Sequence, residues 1–333
     1  MEKNTLKNWS NFGERTLKGI RKLPPLSWVV LFIIVFFSIA APGFFQISNF
    51  INVIKQGSFL WMLATVATME LIAGGTDLSL GSIMTFSGVV MALLLKSEVP
   101  AFIAAMLGIL SGAAVGVING FVVSVIGIPA FIATLGTMNV FGGLALFLTG
   151  ASAVYVGNPK MVFWGAGAIA GIPMPIIIAV VVFGISYVLL HHTPFGRYLV
   201  ALGGNSSGAL LSGVKTKKNS WLIFIYAGLI AGLTGVILAS RLQSADPIVG
   251  VGWEFDAIAA SIMGGTLGAS SKGKGNITTT IIGVALISFL RNGLNIFGIP
   301  AIWQSAVVGS FLLFAIVFDV SMRRREKNYE PQS

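Results

Sequence analysis

The chain has 333 residues, no cysteine, and 21 Lys and Arg against 11 Asp and Glu, for a net charge of +10. Hydrophobic residues make up 55% and charged residues 10%, with a mean hydropathy of +0.90; these values exclude a soluble domain. Without cysteine there are no disulfides and no thiolate metal sites.

Residues 1–26 form a basic N-terminal segment in which Leu6, Trp9, Phe12, Leu17, Ile20 and Leu23 recur at roughly helical spacing among Lys and Arg. That pattern predicts a helix lying on the inner leaflet, a solvated tail being the alternative. The first apolar run starts only at Ser27 and no cleavage pattern follows it, so no cleavable signal is expected. About 20 apolar residues suffice to cross the hydrocarbon core as a helix. Runs of this kind predict ten spans: 27–45, 57–73, 79–95, 101–126, 130–148, 172–190, 219–239, 254–268, 276–290 and 297–320. Those beginning at Gly57, Glu254 and Asn276 are short. The expected fold is therefore all-α, a polytopic membrane helix bundle of about ten helices, some broken or short, covering 27–320 with a tail at 321–333.

The positive charges test that count. With ten spans and a cytoplasmic N-terminus, 16 of the 21 Lys and Arg fall inside; Lys55, Lys96, Lys160, Arg241 and Arg291 fall outside. The bias predicts that both termini and the loop 191–218 are cytoplasmic. It also accounts for the net charge through membrane topology and anionic lipid, with no nucleic-acid partner required.

Between the second and third spans lies Gly74-Gly75-Thr76-Asp77-Leu78-Ser79-Leu80-Gly81-Ser82. Its glycines break the preceding helix, and Asp77 and Ser79 are N-cap candidates for the next. Two readings stand side by side: a capped turn at the membrane surface, or a broken segment lining a cavity. The run Ala73-Gly74-Gly75-Thr76 is echoed at Met263-Gly264-Gly265-Thr266, and Gly-Ile-Pro-Ala occurs at both Gly127 and Gly298. An internal duplication, as in many transporters, and chance are equally compatible with this.

The loop 191–218 is Gly-rich and basic, with a short amphipathic run from about Asn205 to Val214, suited to touching a cytoplasmic partner. The stretch 268–275 nearly spells a phosphate loop. It ends in Gly275 where a Ser or Thr is required, and a membrane segment precedes it where a strand is required, so it reads as a basic surface loop. Of the acids, Glu70, Asp77, Glu254, Asp256 and Asp319 adjoin apolar runs, each near a predicted end, with no cluster suited to a proton relay or sodium site. His191 and His192 sit at a helix end favourable to the dipole. No metal spacing and no nucleophile–base pair is found, so catalytic and metal residues are expected to be none.

Four stretches carry a resemblance. GGTDLSLGS from Gly74, HHTPFGRYLVALGGNSSGALLSGVKTKK from His191, EFDAIAASIMGGT from Glu254 and RNGLNIFGIPAIWQ from Arg291 resemble, in order and spacing, the ribose-type sugar permeases of bacterial ATP-binding-cassette (ABC) importers. The resemblance implies a multi-pass permease of the bacterial inner membrane that moves a small sugar, a pentose or hexose. It implies a second permease copy or a sibling, ABC ATPase subunits that hold the ATP and magnesium, and a periplasmic or lipid-anchored binding protein; this chain would bind no cofactor and catalyse nothing. By the same resemblance Gly204, Asn205, Ser206, Leu210, Leu211, Ser212 and Gly213 belong to a helix coupling to the ATPase. Ser206 and Leu210 stand where the family commonly has an acid and an Arg, which leaves apolar and backbone contacts for that interface. The binding protein would dock on 149–171 and 241–253.

Candidates for the translocation pathway are Gly74, Gly75, Asp77, Ser79 and Gly81, Gly264 and Gly265, and the polar side chains Asn119, Asn139, Asn292, Asn295 and Gln304. For most of these amides, helix–helix hydrogen bonding is the preferred alternative. A secondary transporter driven by an ion gradient is the rival reading, and would need buried carboxylates.

Overall fold

The computed structural model describes residues 25–266, 275–300, 303–310 and 313. The N-terminal amphipathic stretch, the loop resembling a phosphate site, Asp319 and the C-terminal tail lie outside the described residues.

Helix α1 spans Pro25–Ala40, α2 Ile47–Ile72, α3 Leu80–Lys96 and α4 Ala101–Phe121; a π-turn at Val122–Ile126 extends α4. Helix α5 spans Ala130–Thr149, α6 Pro159–Ala166, α7 Met174–His192, α8 Pro194–Leu211, α9 Thr216–Leu242, α10 Trp253–Met263 and α11 Thr280–Ile296. Residues 303–310 are also helical. Five of these, α2, α4 with its π-turn, α5, α7 and α9, are long and apolar enough to cross a membrane; α1, α3 and α11 are shorter apolar helices. The expectation of a mostly helical, polytopic membrane protein holds at that level.

One correction concerns the all-α class. Four two-residue strands occur: β1 (Val154–Tyr155) pairs antiparallel with β4 (Ser244–Ala245), and β2 (Ala168–Ile169) with β3 (Ile172–Pro173). The first pair ties together the two loops, 149–171 and 241–253, that the sequence placed on one side.

Two helices extend beyond the expected spans. Helix α2 starts ten residues earlier than expected and contains Lys55. Helix α11 runs on through Arg291 and Asn292, each of which bonds a side chain on a neighbouring helix. Arg291 donates to Asp256 on α10, with a closest approach of 2.7 Å, and Asn292 exchanges two 2.9 Å amide hydrogen bonds with Asn49 on α2.

Helix α9 is the centre of the bundle and packs against α2, α3, α4, α6 and α8. Its contact with α4 is built on Gly108, Gly112, Gly116 and Gly120, which stack at every fourth residue along one face. A Cβ on Gly112 would fall 2.6 Å from the carbonyl oxygen of Gly228, and one on Gly120 2.8 Å from that of Trp221. Lipid supplies no hydrophobic drive between helices, so close backbone approach and van der Waals contact hold them together. The Trp221 indole N–H donates to the Val117 carbonyl at 2.9 Å across the same seam. Helix α5 buries only Ala133, Thr134 and Ala145 and forms an outer face.

Candidate translocation and coupling site

Helix α2 ends where Ala73 adopts a helical cap conformation and Gly74 turns to φ +85°. The Gly75 N–H then returns to the Glu70 carbonyl at 2.9 Å and the Gly74 N–H to the Leu71 carbonyl at 3.1 Å, which satisfies the last carbonyls of the helix. The chain runs without helix until Leu80. Gly74 is exposed and Gly75 and Thr76 are half-buried, but Asp77, Leu78 and Ser79 are all buried. Of the two readings left open by the sequence, the broken segment inside the bundle is the one realised.

Its polar groups are held within the segment itself and by α4 and α5. Asp77 Oδ1 accepts from the Ser79 N–H at 2.7 Å and from the Ser79 hydroxyl at 2.5 Å. Asn119 on α4 donates to the Ser79 hydroxyl at 2.7 Å and accepts from Thr137 on α5 at the same distance. Thr134 on α5 accepts from the Leu78 N–H at 3.0 Å. Asp77 therefore makes a local turn two residues on. Ser79 occupies the N-cap position of α3 but its side chain makes no capping bond; its hydroxyl serves the Asp77–Asn119 link instead, which corrects the expectation that both residues cap.

At Gly81 the loop before α10 reaches into the bundle. A side-chain carbon on Gly81 would overlap the Gly250 carbonyl and the Glu254 carboxylate, and one on Gly250 would overlap the Gly81 carbonyl. The Gly250 N–H donates to Thr85 on α3 at 2.9 Å. Part of 241–253 is thus an internal wedge, while Ile248 and Val251 remain exposed.

The echoed motif forms the same kind of turn. At the end of α10, Gly264 keeps a helical cap and Gly265 takes φ +96°, with the Thr266 N–H returning to the Ser261 carbonyl at 3.1 Å. Gly127 and Gly298 of the two Gly-Ile-Pro-Ala stretches both have positive φ, at +91° and +80°. A Cβ on Gly264 would meet the Thr280 backbone at 2.6 Å. The two broken ends are tied by a buried hydroxyl cluster: Thr68 on α2 donates to Ser261 on α10 at 2.9 Å and lies 2.8 Å from the Thr280 hydroxyl on α11.

The loop 191–218 is two helices with a kink. Thr193 caps the start of α8 by accepting from the Gly196 N–H, and Leu199 packs into a cluster with Met69, Ile72, Leu190, Ile223 and Phe224. At Asn205 the backbone leaves helical geometry (φ −158°, ψ 94°), and its side-chain oxygen accepts from the Gly208 N–H at 2.9 Å, capping a second, short helical stretch. That stretch ends at Gly213 with φ +80°, the Val214 N–H returning to the Ala209 carbonyl at 3.0 Å. The amphipathic run expected from about Asn205 to Val214 is thus a capped structural unit.

All seven predicted coupling residues are exposed, Leu210 by 61% and Leu211 by 89%. The first part of α8 rests on the end of α2: a Cβ on Gly203 would overlap the Ile72 carbonyl, and one on Gly74 would lie 3.5 Å from the Gly203 Cα. The sequence reading began the coupling residues at Gly204 and missed Gly203.

The remaining pathway candidates divide. Asn119 and Asn292 are helix–helix links, Gln304 donates to the Ile299 carbonyl at 2.9 Å, and Asn139 and Asn295 are exposed, Asn139 bonding only the Leu135 carbonyl of its own helix. Asn119 thus joins the first broken segment through Ser79, and the other amides do not. Glu70, Asp77 and Glu254 lie near helix ends as expected, and all three are buried. Among the described residues no group of three or more His, Asp or Glu could hold a metal ion.

Residues 49–316 match the protein family described as branched-chain amino acid transport system / permease component. Among curated proteins the chain is similar to the ribose import permease protein of Escherichia coli (strain K12), with 38% identity over 87% of this chain and 91% of that protein. It is 40% identical to the ribose import permease protein of Bacillus subtilis (strain 168), over 90% of this chain and 93% of the relative. The D-allose transport system permease protein of Escherichia coli (strain K12) is 36% identical over 87% of this chain and 89% of its own length. No solved structure gives a significant match.

Proposed function

The chain belongs to the permease-component family of ABC importers, in its ribose-type branch, and we propose that it carries a small sugar of the pentose or hexose class into the cytoplasm. It is a multi-pass membrane protein. In our reading it has about ten spans with both termini in the cytoplasm of a bacterial inner membrane, 1–26 and 321–333 flanking the transmembrane domain. ATP and magnesium sit on partner ATPase subunits, and a second permease copy or a sibling completes the membrane pair.

The observation that carries the mechanism is the position of α8. Its first part packs on the broken end of α2 through Gly203, and its second part, from Asn205 to Gly213, presents Leu210 and Leu211 exposed among the described residues. Exposed apolar side chains on a capped helix suit a groove in another protein. When the ATPases close, α8 moves as a lever. The push arrives at Gly74, and the segment Gly74–Gly81 shifts against Asn119, Gly250 and the Gly264–Gly265 turn, opening the path on one side and closing it on the other. On the far side, the β1–β4 ladder joins 149–171 to 241–253, giving a binding protein one composite surface whose inner edge, Gly250, touches Gly81.

The experiment is a gentle-detergent purification of the tagged full chain from its host, with mass spectrometry of what accompanies it. Recovery of an ABC ATPase, lost in Leu210→Asp, supports the coupling assignment. A permease that purifies alone, yet moves sugar under an ion gradient in liposomes, replaces it with the secondary-transporter reading.

A further inference from the structure

The junction between α2 and α3 holds three carboxylate oxygens that no hydrogen bond reaches. Glu70, one turn before the end of α2, is 1% exposed, and neither of its oxygens has a partner. Asp77 is 2% exposed; Ser79 serves its Oδ1, and its Oδ2 has none. The two carboxyls face one another, within reach of a hydrogen bond as soon as one oxygen carries a proton. A third carboxylate, Glu254 in the first turn of α10, is also buried and accepts from the Gly252 N–H at 3.2 Å. Among the described residues, no cationic side chain forms an ion pair with any of the three; the one ion pair, Arg291–Asp256, lies elsewhere on α10 and α11.

Two carboxylates cannot stand bare and opposed in an apolar interior, because burying an uncompensated charge is among the costliest things a fold can do. Either a positive charge enters or the structure opens. There is a way in: Glu70 lines a cavity of about 270 Å³ walled by Gly74, Gly75, Val123, Pro129, Ser220 and Phe224. That volume exceeds several water molecules at about 30 Å³ each. Besides Glu70, the lining residues include no carboxylate and no cationic side chain.

We propose that Glu70 and Asp77 together bind one small monovalent cation, a proton or a sodium ion, admitted through this cavity. Asp77 keeps its charge, supported by the Ser79 N–H and hydroxyl, and the cation balances Glu70. Occupancy clamps the broken segment to the end of α2, beside the Gly203 contact. Vacancy sets the carboxyls against each other across Gly74–Thr76 and drives the segment away. The inference concerns this chain by itself and does not depend on which partners drive transport.

The test uses the purified full chain in lipid nanodiscs. Infrared difference spectra are searched for the C=O stretch of a protonated carboxyl that shifts in D2O, and thermal unfolding is compared in sodium and choline chloride at equal ionic strength. A sodium-selective rise in Tm of several degrees that Glu70→Gln abolishes identifies a sodium site. A protonated-carboxyl band that is absent from Glu70→Gln, with no salt preference in Tm, identifies a proton. Wild type showing neither the band nor the sodium response overturns the proposal. Those wild-type readings decide even where the variant does not fold. Glu70→Gln, which offers Asp77 a permanent N–H donor, is expected to be at least as stable as the wild type in choline.

Discussion

The backbone of Gly203 rests on the carbonyl of Ile72 with no room for a single side-chain carbon between them. Gly203 belongs to the helix that leads to the exposed Asn205–Gly213 unit, and Ile72 is the last residue of α2 before the break. A displacement of one therefore reaches the other without a compliant side chain between them.

Gly203→Ala is expected to push α8 off the end of α2. Substrate-stimulated ATPase activity of the reconstituted complex should fall about tenfold, corresponding to roughly 1.4 kcal/mol of coupling. Assembly with the ATPase should persist, because the exposed unit is untouched. Gly136→Ala, at a position where a Cβ meets nothing within 4 Å, is the control and should leave the rate unchanged.

Gly81→Ala and Gly250→Ala each force a methyl group into a backbone contact. Overpacking of this kind costs about 1–3 kcal/mol, and thermal unfolding in detergent should show both variants less stable than wild type. Since each substitution spoils the same contact, the double variant should lose less than the two single losses added together.

Leu211→Asp changes a side chain that touches little of its own chain. Its folded stability should stay within about 0.5 kcal/mol of wild type, while recovery of the ATPase and coupled hydrolysis both drop. Gly213→Pro should act on the same readouts by breaking the turn that ends the unit, since φ +80° is closed to proline. Normal coupling in both would remove the assignment of this helix.

Arg291→Ala strips Asp256 of its partner and should cost about 1.5–3 kcal/mol, the range for a hydrogen bond to a charged group. Asp256→Asn with Arg291→Gln, which removes both charges, should recover part of that loss. A double-mutant cycle on unfolding midpoints reads the coupling directly.

Much of this architecture was visible in the residues. The spans 101–126, 130–148 and 172–190 were found nearly to the residue because unbroken apolar runs have few alternatives in a bilayer, and the Gly-Asn-Ser stretch marked the start of the capped unit. Missing were relations between distant residues. Arg291 can lie inside α11 because of Asp256, a partner 35 residues away that no local pattern reveals. Gly203 and Gly250 were two glycines among 41, and only the fold shows which of them face another backbone. Glu70 lies near a helix end, as the sequence indicates, but its side chain is buried and lines a cavity shared with Ser220 and Phe224 of α9.

The central claim is that this chain is moved by ATP hydrolysed on a partner, through α8. The most direct measurement is uptake of radiolabelled D-ribose into proteoliposomes holding the chain, its ATPase and its binding protein. Uptake that requires ATP on the ATPase side and is lost in Leu211→Asp, with the complex still assembled, is the predicted result. Uptake by the chain alone under an ion gradient, with no response to ATP, would contradict it.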